Sequence, residues 1–138
     1  MRWNFRAHIP LIVFVCPKRD DIMSNQNIIE KMNLALGWEL RAINMYAHYS
    51  ANIRGIHRLQ LSPLFNTEMT ESIAHADIVR KAIVQLGGVP VTERNSHPIV
   101  HTTNYIETLN FSLETEAKAA EVYAQLLELI EKTDEQDL

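Results

Sequence analysis

Apolar side chains recur every three or four residues over three long stretches of this chain, and this periodicity constrains the fold more than any other feature. The stretches cover approximately residues 26–53, 63–87 and 103–132. Strands would instead require alternation with a period of two over four to eight residues. The sequence therefore predicts an all-α chain with three long amphipathic helices.

Local signals suggest where these helices begin and end. The cluster Ser24-Asn25-Gln26-Asn27 is typical of a helix N-terminus, and Pro63 suits a first helical turn. Gly87-Gly88 followed by Pro90 predicts a helix stop, and residues 133–138 read as a polar turn. Residues 87–102 contain two prolines and no periodicity, which predicts a long crossover connection between the second and third helices.

The first 22 residues differ in composition from the rest. They are basic and aromatic and carry no helical pattern, whereas the capping cluster follows directly after Met23. These residues could form a short strand or packing arm, or they could lie upstream of a true start at Met23, which is the interpretation we favour. We therefore predict an N-terminal extension over 1–22 that is not part of the core, and a helical domain over 23–138.

Composition excludes several classes of function. The 138 residues, 46% of them apolar and 22% charged, suit one globular domain. The net charge of −4, with no basic run longer than Lys18-Arg19, argues against nucleic acid and anionic membranes as partners. The longest uncharged apolar run, residues 9–16, is far shorter than the roughly 20 residues of a membrane span. The single Cys16 excludes an internal disulfide, so we expect a reducing compartment, the cytoplasm.

Polar side chains interrupt the apolar stripes at specific positions. Glu39 falls at the centre of the first stripe, and Glu68, Glu71 and His75 fall in the middle of the second. A buried ionised carboxylate costs several kcal/mol unless it is paired or binds a metal. These residues are therefore either hydrogen-bonded core residues or candidate metal ligands.

The third stretch repeats the pattern of the first. Glu39-x-x-Ala-x-x-x-Tyr46 and Glu116-x-x-Ala-x-x-x-Tyr123 share the same offsets. Glu116 lies near the centre of the third stripe, whereas Glu114 lies more than a quarter turn away. Glu114 instead lines up with other glutamates of this stretch, and we interpret the row as a solvated face of the helix. The other members are Glu107, Glu121 and Glu128.

Two of the helices each carry an inward carboxylate, and the remaining helix carries glutamates one and two turns before a histidine. Dinuclear carboxylate sites in helical bundles are built from such ligands. Such oxygen and imidazole ligands suit iron, with manganese as a second option. Tyrosines beside such a site can orient a ligand or supply an electron, although Tyr46 and Tyr123 also suit simple packing. The alternative without metal is a three-helix interaction module whose buried polar groups only form hydrogen bonds.

Residues 36–46, which include Glu39 and Tyr46, followed by His75-Ala76-Asp77 and residues 87–90, resemble bacterioferritins and related ferritin-like proteins. The resemblance covers about residues 26–132. It implies an antiparallel four-helix bundle with a di-iron centre that oxidises Fe(II) with dioxygen or peroxide, inside a homo-oligomeric iron-storing shell. By the same resemblance Glu39 and Glu116 would be carboxylate ligands, His75 an imidazole ligand, and Tyr46 a candidate catalytic residue beside them.

The sequence also departs from the family pattern. Ser72 stands where the family has a glutamate, and Glu71 or Glu68 could replace that ligand. Haem-binding members use a methionine where this chain has Ile73 or Ala74, so we expect no haem. Glu39 and His75 are 36 residues apart. The same spacing counted from Glu116 would place a second histidine ligand past Leu138. A fourth helix is therefore expected either from a longer chain or from another chain. A rubrerythrin-like peroxidase is the alternative enzyme.

Overall fold

Three α-helices account for most of the chain. The computed structural model describes residues 19–136, with side chains over 25–133, and its helices are α1 (Arg19–Asn52), α2 (Arg58–Gln85) and α3 (Tyr105–Gln136). Within these residues there is no strand, which confirms the all-α prediction. None of the three helices is long and apolar enough to cross a membrane. Most of the predicted extension 1–22 lies outside the described residues.

The helix ends differ from their predicted positions. α1 begins at Arg19 rather than Gln26, and α3 continues to Gln136 through part of the predicted polar turn. Both predictions were wrong because Ser, Asn, Asp and Thr cost a helix only some tenths of a kcal/mol each. A polar cluster of this kind can cap a helix, but it does not oblige one to start or stop there.

α2 begins at Arg58, five residues before the predicted proline start. Its Pro63 lies inside the helix, where it has no N–H to donate to the carbonyl four residues earlier. Serine side chains hold this end of α2 against α1: the Ser50 hydroxyl lies 2.8 Å from the Asn66 side-chain oxygen and 3.1 Å from the Ser62 carbonyl. Cross-helix contacts therefore hold the N-terminal part of α2 in place, and proline is tolerated there.

Both α2 and α3 pack antiparallel to α1. One core cluster joins the N-terminal half of α1 to the C-terminal half of α2, and the other joins the C-terminal half of α1 to the start of α2. Their buried members are Ile29, Leu36, Ala76, Val79 and Ile83 in the first, and Ala42, Met45, Tyr46, Tyr49 and Phe65 in the second. Because both outer helices run opposite to α1, they run parallel to each other.

The segment between α2 and α3, residues 86–104, crosses the length of the bundle without helix or strand, as predicted. It is anchored on α1 at several points. The Asn95 amide donates to the Gly37 carbonyl at 2.8 Å, and the Tyr49 hydroxyl donates to the Val100 carbonyl at 3.0 Å. The crossover is therefore a fitted part of the fold rather than a loose linker.

The buried face of α3 is not the one predicted. The residues that α3 buries are mostly small or hydroxylated, namely Thr108, Ser112, Thr115, Ala119, Val122 and Leu126. Serine and threonine fit there because their hydroxyls bond to backbone carbonyls of the same helix. The predicted apolar stripe lies to one side of this face and is exposed, with Leu113 69% and Leu127 60% accessible.

Gly88 leaves no room for a side chain where the crossover starts. A Cβ at this position would lie 2.7 Å from Ile29 Cγ2 and 3.0 Å from Ile83 Cγ2. We expect Gly88→Ala to lower the free energy of unfolding by about 1 to 3 kcal/mol, because overpacking a fitted core costs this much. Urea unfolding measures the loss, and Gly88→Ala should cost less when it is made in an Ile29→Ala background, because the contact with Ile29 Cγ2 is then absent. An unchanged unfolding midpoint would show that the contact relaxes freely.

Candidate metal centre

Glu39 is the only buried carboxylate among residues 25–133, with 5% of its surface accessible. It lies midway along α1, one turn after the fully buried Leu36, because residues three apart share a helix face. Burial raises the pKa of Glu39, and the charge of Glu116 raises it further. A hydrogen bond from Tyr123 and the nearby His75 oppose this rise in pKa. The prediction that Glu39 points inward is therefore confirmed.

The two copies of the Glu-Tyr repeat are joined by reciprocal hydrogen bonds. Tyr46 of α1 donates to Glu116 of α3 at 2.6 Å, and Tyr123 of α3 donates to Glu39 of α1 at 2.8 Å. The pairs cross because the helices are antiparallel and each tyrosine follows its glutamate by the same two turns. The repeat thus fixes one carboxylate on each helix, each held by a tyrosine from the other helix.

Both tyrosines have a raised pKa. Burial is the main cause in each, and the hydrogen bond to the carboxylate adds to it. Each phenol therefore stays protonated and donates a hydrogen bond to its carboxylate at physiological pH.

Of the two glutamates weighed for α3, Glu116 is the one that meets the α1 residues. Glu114 instead lies 3.9 Å from His97 Nε2 on the crossover, with half of its side chain exposed. Glu107 accepts a hydrogen bond from Thr102, and Glu121 is 3.4 Å from Lys118. The structure therefore supports the interpretation of that row as a solvated face.

The sequence predicted that the polar residues of α2 lie in the middle of its buried face. The structure shows that this prediction was wrong. The buried line of α2 passes through Phe65, Ser72, Ala76, Val79 and Ile83. Glu71 and His75 lie to one side of it and are exposed, and Glu68 is half-buried. The physical reason is that α2 packs on α1 along a single face, so residues a fifth of a turn or more away face open space.

His75 still reaches the α1 carboxylate from the edge of that face. Its Nδ1 lies 3.6 Å from Glu39 Oε1 while 57% of the side chain is exposed. Burial raises the pKa of Glu68, and the charges of Glu71 and Glu116 raise it further. The carboxylates of α1, α2 and α3 therefore repel one another electrostatically. A bound cation would relieve this repulsion.

These groups open onto a gap between α2 and α3. Both helices pack on α1, and their contacts with each other are at most weak. A cavity of about 220 Å³ lies there, lined by His75, Ile78, Val79 and Tyr123. Large exposed apolar residues line the same side of both helices: Leu64 and Ile78 on α2, with Leu86 directly after its end, and Leu109, Leu113 and Leu127 on α3.

Comparison with known proteins decides the family. The profile of the ferritin-like domain matches residues 29–137, which is most of the chain. This chain belongs to the ferritin-like family. A solved structure described as "ferritin like, diiron-carboxylate proteins from Bacillus anthracis str. Ames" is 27% identical, with a TM-score of 0.76. The match covers 83% of this chain and 81% of that one. No curated protein matches this chain.

The residues of this ferritin-like chain fit iron by their chemistry. Carboxylate oxygens and imidazole nitrogen are suitable iron ligands, and the raised pKa values of Glu39 and Glu68 mark a place where negative charge is crowded. Within residues 25–133, no three such side chains are close enough to hold a metal ion together. Glu71, His75 and Glu116 are exposed, so their side chains can change rotamer without repacking of the core.

Proposed function

We propose that this ferritin-like protein binds Fe(II) as a substrate between its helices and oxidises it for iron storage and homeostasis, as a bacterioferritin-like ferroxidase. The observation that carries the proposal is the reciprocal pair of Tyr-Glu hydrogen bonds, which fixes Glu39 of α1 and Glu116 of α3 close enough for the charge of Glu116 to raise the pKa of Glu39. A hydrogen-bonded core alone does not need a buried carboxylate whose pKa is raised both by burial and by the charge of a second carboxylate. Iron neutralises both.

The chain's own residues have distinct roles in this proposal. Glu39 and Glu116 bind iron through oxygen, His75 binds through nitrogen, and Glu71 or Glu68 takes the place of the glutamate that Ser72 lacks. Tyr46 and Tyr123 are positioning residues, because each fixes one carboxylate by a hydrogen bond. Since the pKa of Glu39 is raised, iron binding displaces any proton held there. Two bound iron ions supply the electrons that reduce dioxygen or peroxide.

One further helix would complete the site. The candidate ligands and the exposed leucines of α2 and α3 lie on the same open side of the bundle. A single amphipathic helix placed there would bury the apolar residues and could add ligands, since bundle sites of this kind draw ligands from four helices. We propose that such a helix comes from a further segment of the protein or from a partner in a homo-oligomer.

Glu116→Gln tests the site, with Glu114→Gln as the matched control two residues away. We expect wild-type protein in its native assembly to bind about two Fe(II) per bundle and to oxidise them rapidly in air. Glu116→Gln should slow oxidation at least tenfold, because it removes a charged ligand, and Glu114→Gln should not change it. Absorbance of ferric product and oxygen uptake provide the measurements.

The same assay separates the remaining functions. A mineral core of many irons per chain supports storage, whereas rapid peroxide consumption without a core supports a rubrerythrin-like peroxidase. Equal iron content in the wild type and Glu116→Gln would rule out the site and favour an interaction module. We further propose iron rather than manganese as the metal, no haem, no nucleic-acid partner, a cytoplasmic location, and an extension over 1–22 that is not needed for iron binding.

A further inference from the structure

Two histidines outside the candidate metal centre meet on the outer side of α1. His48 Nε2, near the C-terminal end of α1, lies 2.9 Å from His101 Nδ1 on the crossover. The ring centroids are 5.1 Å apart and the ring planes are inclined by 76°. The residues are separated by 53 positions in sequence, so only the fold brings their imidazoles together.

The surrounding contacts hold both histidines in place. Next to His101, the Val100 carbonyl accepts from Tyr49, and Thr102 is buried and donates to Glu107. His48 is part of the regular α1 backbone, and its ring also lies against the ring of Tyr49 with centroids 5.8 Å apart. The backbones carrying the two imidazoles are therefore fixed before any ligand binds.

The geometry of the pair is close to that of a chelate. Nitrogen ligands on tetrahedral zinc are about 3.3 Å apart, because each Zn–N bond is about 2.0 to 2.1 Å long. The observed nitrogens at 2.9 Å need to separate by only a few tenths of an ångström, which small ring rotations provide. In the absence of metal, one imidazole must donate to the other, so a metal ion replaces a single hydrogen bond.

Asn52 helps to hold the α1 backbone at His48. Its side-chain amide nitrogen donates to the His48 carbonyl at 2.7 Å and lies 3.4 Å from His48 Nδ1. When Nε2 binds a metal, the neutral ring carries its proton on Nδ1. Metal binding therefore gives up only the long contact with Nδ1, and the bond from Asn52 to the backbone carbonyl remains.

We propose that His48 and His101 form a surface site for a divalent transition-metal ion that favours imidazole, such as Zn²⁺, with water as the remaining ligands. The ion would fasten the crossover to α1. This site is distinct from the candidate iron centre, because His48 and His101 lie on the crossover side of α1 whereas Glu39 and His75 meet at α2. The proposal does not depend on the proposed function.

Zinc titration of the full chain tests the site. We use His75→Gln as the background, so that zinc at the candidate iron centre is weakened, and follow binding by calorimetry. Adding His48→Gln or His101→Gln should weaken one zinc equivalent at least tenfold. Adding His57→Gln should leave it unchanged, because the His57 ring instead lies against Tyr105. Zinc should raise the melting temperature of the background and the His57 variant, but not of the other two.

Each outcome decides the proposal. Equal zinc affinity in the His48 and His101 variants and in their background would overturn it. If His48→Gln does not fold, His101→Gln on the crossover and the zinc-induced shifts of imidazole resonances in the background chain give the same decision. Failure of iron oxidation by the native protein would leave the zinc result unaffected, so the two proposals fail separately.

Discussion

Replacing Arg41 with methionine is expected to lower the free energy of unfolding by about 2 to 4 kcal/mol, because the guanidinium holds three parts of the structure together. It donates to the His97 carbonyl at 2.9 Å, to the Pro98 carbonyl at 2.7 Å and to the Thr115 hydroxyl at 2.6 Å. Only 3% of Arg41 is accessible, so water cannot take over these bonds. Methionine retains much of the packing volume and removes every donor.

The expected loss of unfolding free energy in Arg41→Met is smaller than the sum of the lost hydrogen bonds, because burying the charged guanidinium is itself unfavourable. Burial lowers the pKa of Arg41, and the charge of Arg94 lowers it further, whereas Tyr49 and Glu114 act in the opposite direction. Removing the charge therefore recovers some free energy while the crossover carbonyls lose their donor. The measured change in unfolding free energy is the difference between these two effects.

Arg94→Met is the matched control for this prediction. Arg94 lies on the crossover and also donates to the His97 carbonyl, at 3.2 Å, but it is exposed. We expect Arg94→Met to change the free energy of unfolding by less than about 0.5 kcal/mol, which is typical of surface substitutions. Urea unfolding of both variants provides the measurement, and similar small losses would show that Arg41 does not anchor the crossover.

The helices could be predicted because their signal is local. Apolar residues every three or four positions identified α1, α2 and α3, and the prolines and glycines identified the crossover between them. The helix ends could not be placed, because cap-type residues and Pro63 are also compatible with a helix interior. The buried face of α3 was missed for another reason. Its strongest apolar stripe faces the open side of the bundle, and small and hydroxylated residues face α1.

The site was predictable only as far as the repeat extends. The shared offset of seven residues identified both Glu-Tyr pairs, and the contacts of Tyr46 with Glu116 and of Tyr123 with Glu39 follow once the helices are antiparallel. Arg41 and the pair of His48 and His101 left no signal, because their partners lie more than 50 positions away on the crossover. Such contacts depend on tertiary structure, so one sequence does not contain a local pattern for them.

Glu39→Gln is expected to abolish iron oxidation while making the iron-free protein more stable at neutral pH. Glutamine keeps the oxygen that accepts the Tyr123 hydrogen bond and removes the buried charge. We expect affinity for Fe(II) to fall at least a hundredfold and the free energy of unfolding at pH 7 to rise by on the order of 1 kcal/mol. Glu121→Gln, which changes an exposed glutamate on α3, should alter neither.

The pH dependence separates this effect from a general gain in packing. Burial raises the pKa of Glu39 in the folded chain above its usual 4.5, so the stability linked to this group is fully present below pH 4.5 and is lost as pH rises through the raised value. Glutamine does not titrate, so the variant avoids that loss. The advantage of Glu39→Gln in urea unfolding should therefore be small at pH 4 and largest at pH 7. A stability gain of Glu39→Gln that does not depend on pH would mean that burial does not destabilise the Glu39 carboxylate. The main argument for a metal centre, which is that negative charge is crowded at Glu39, would then fail.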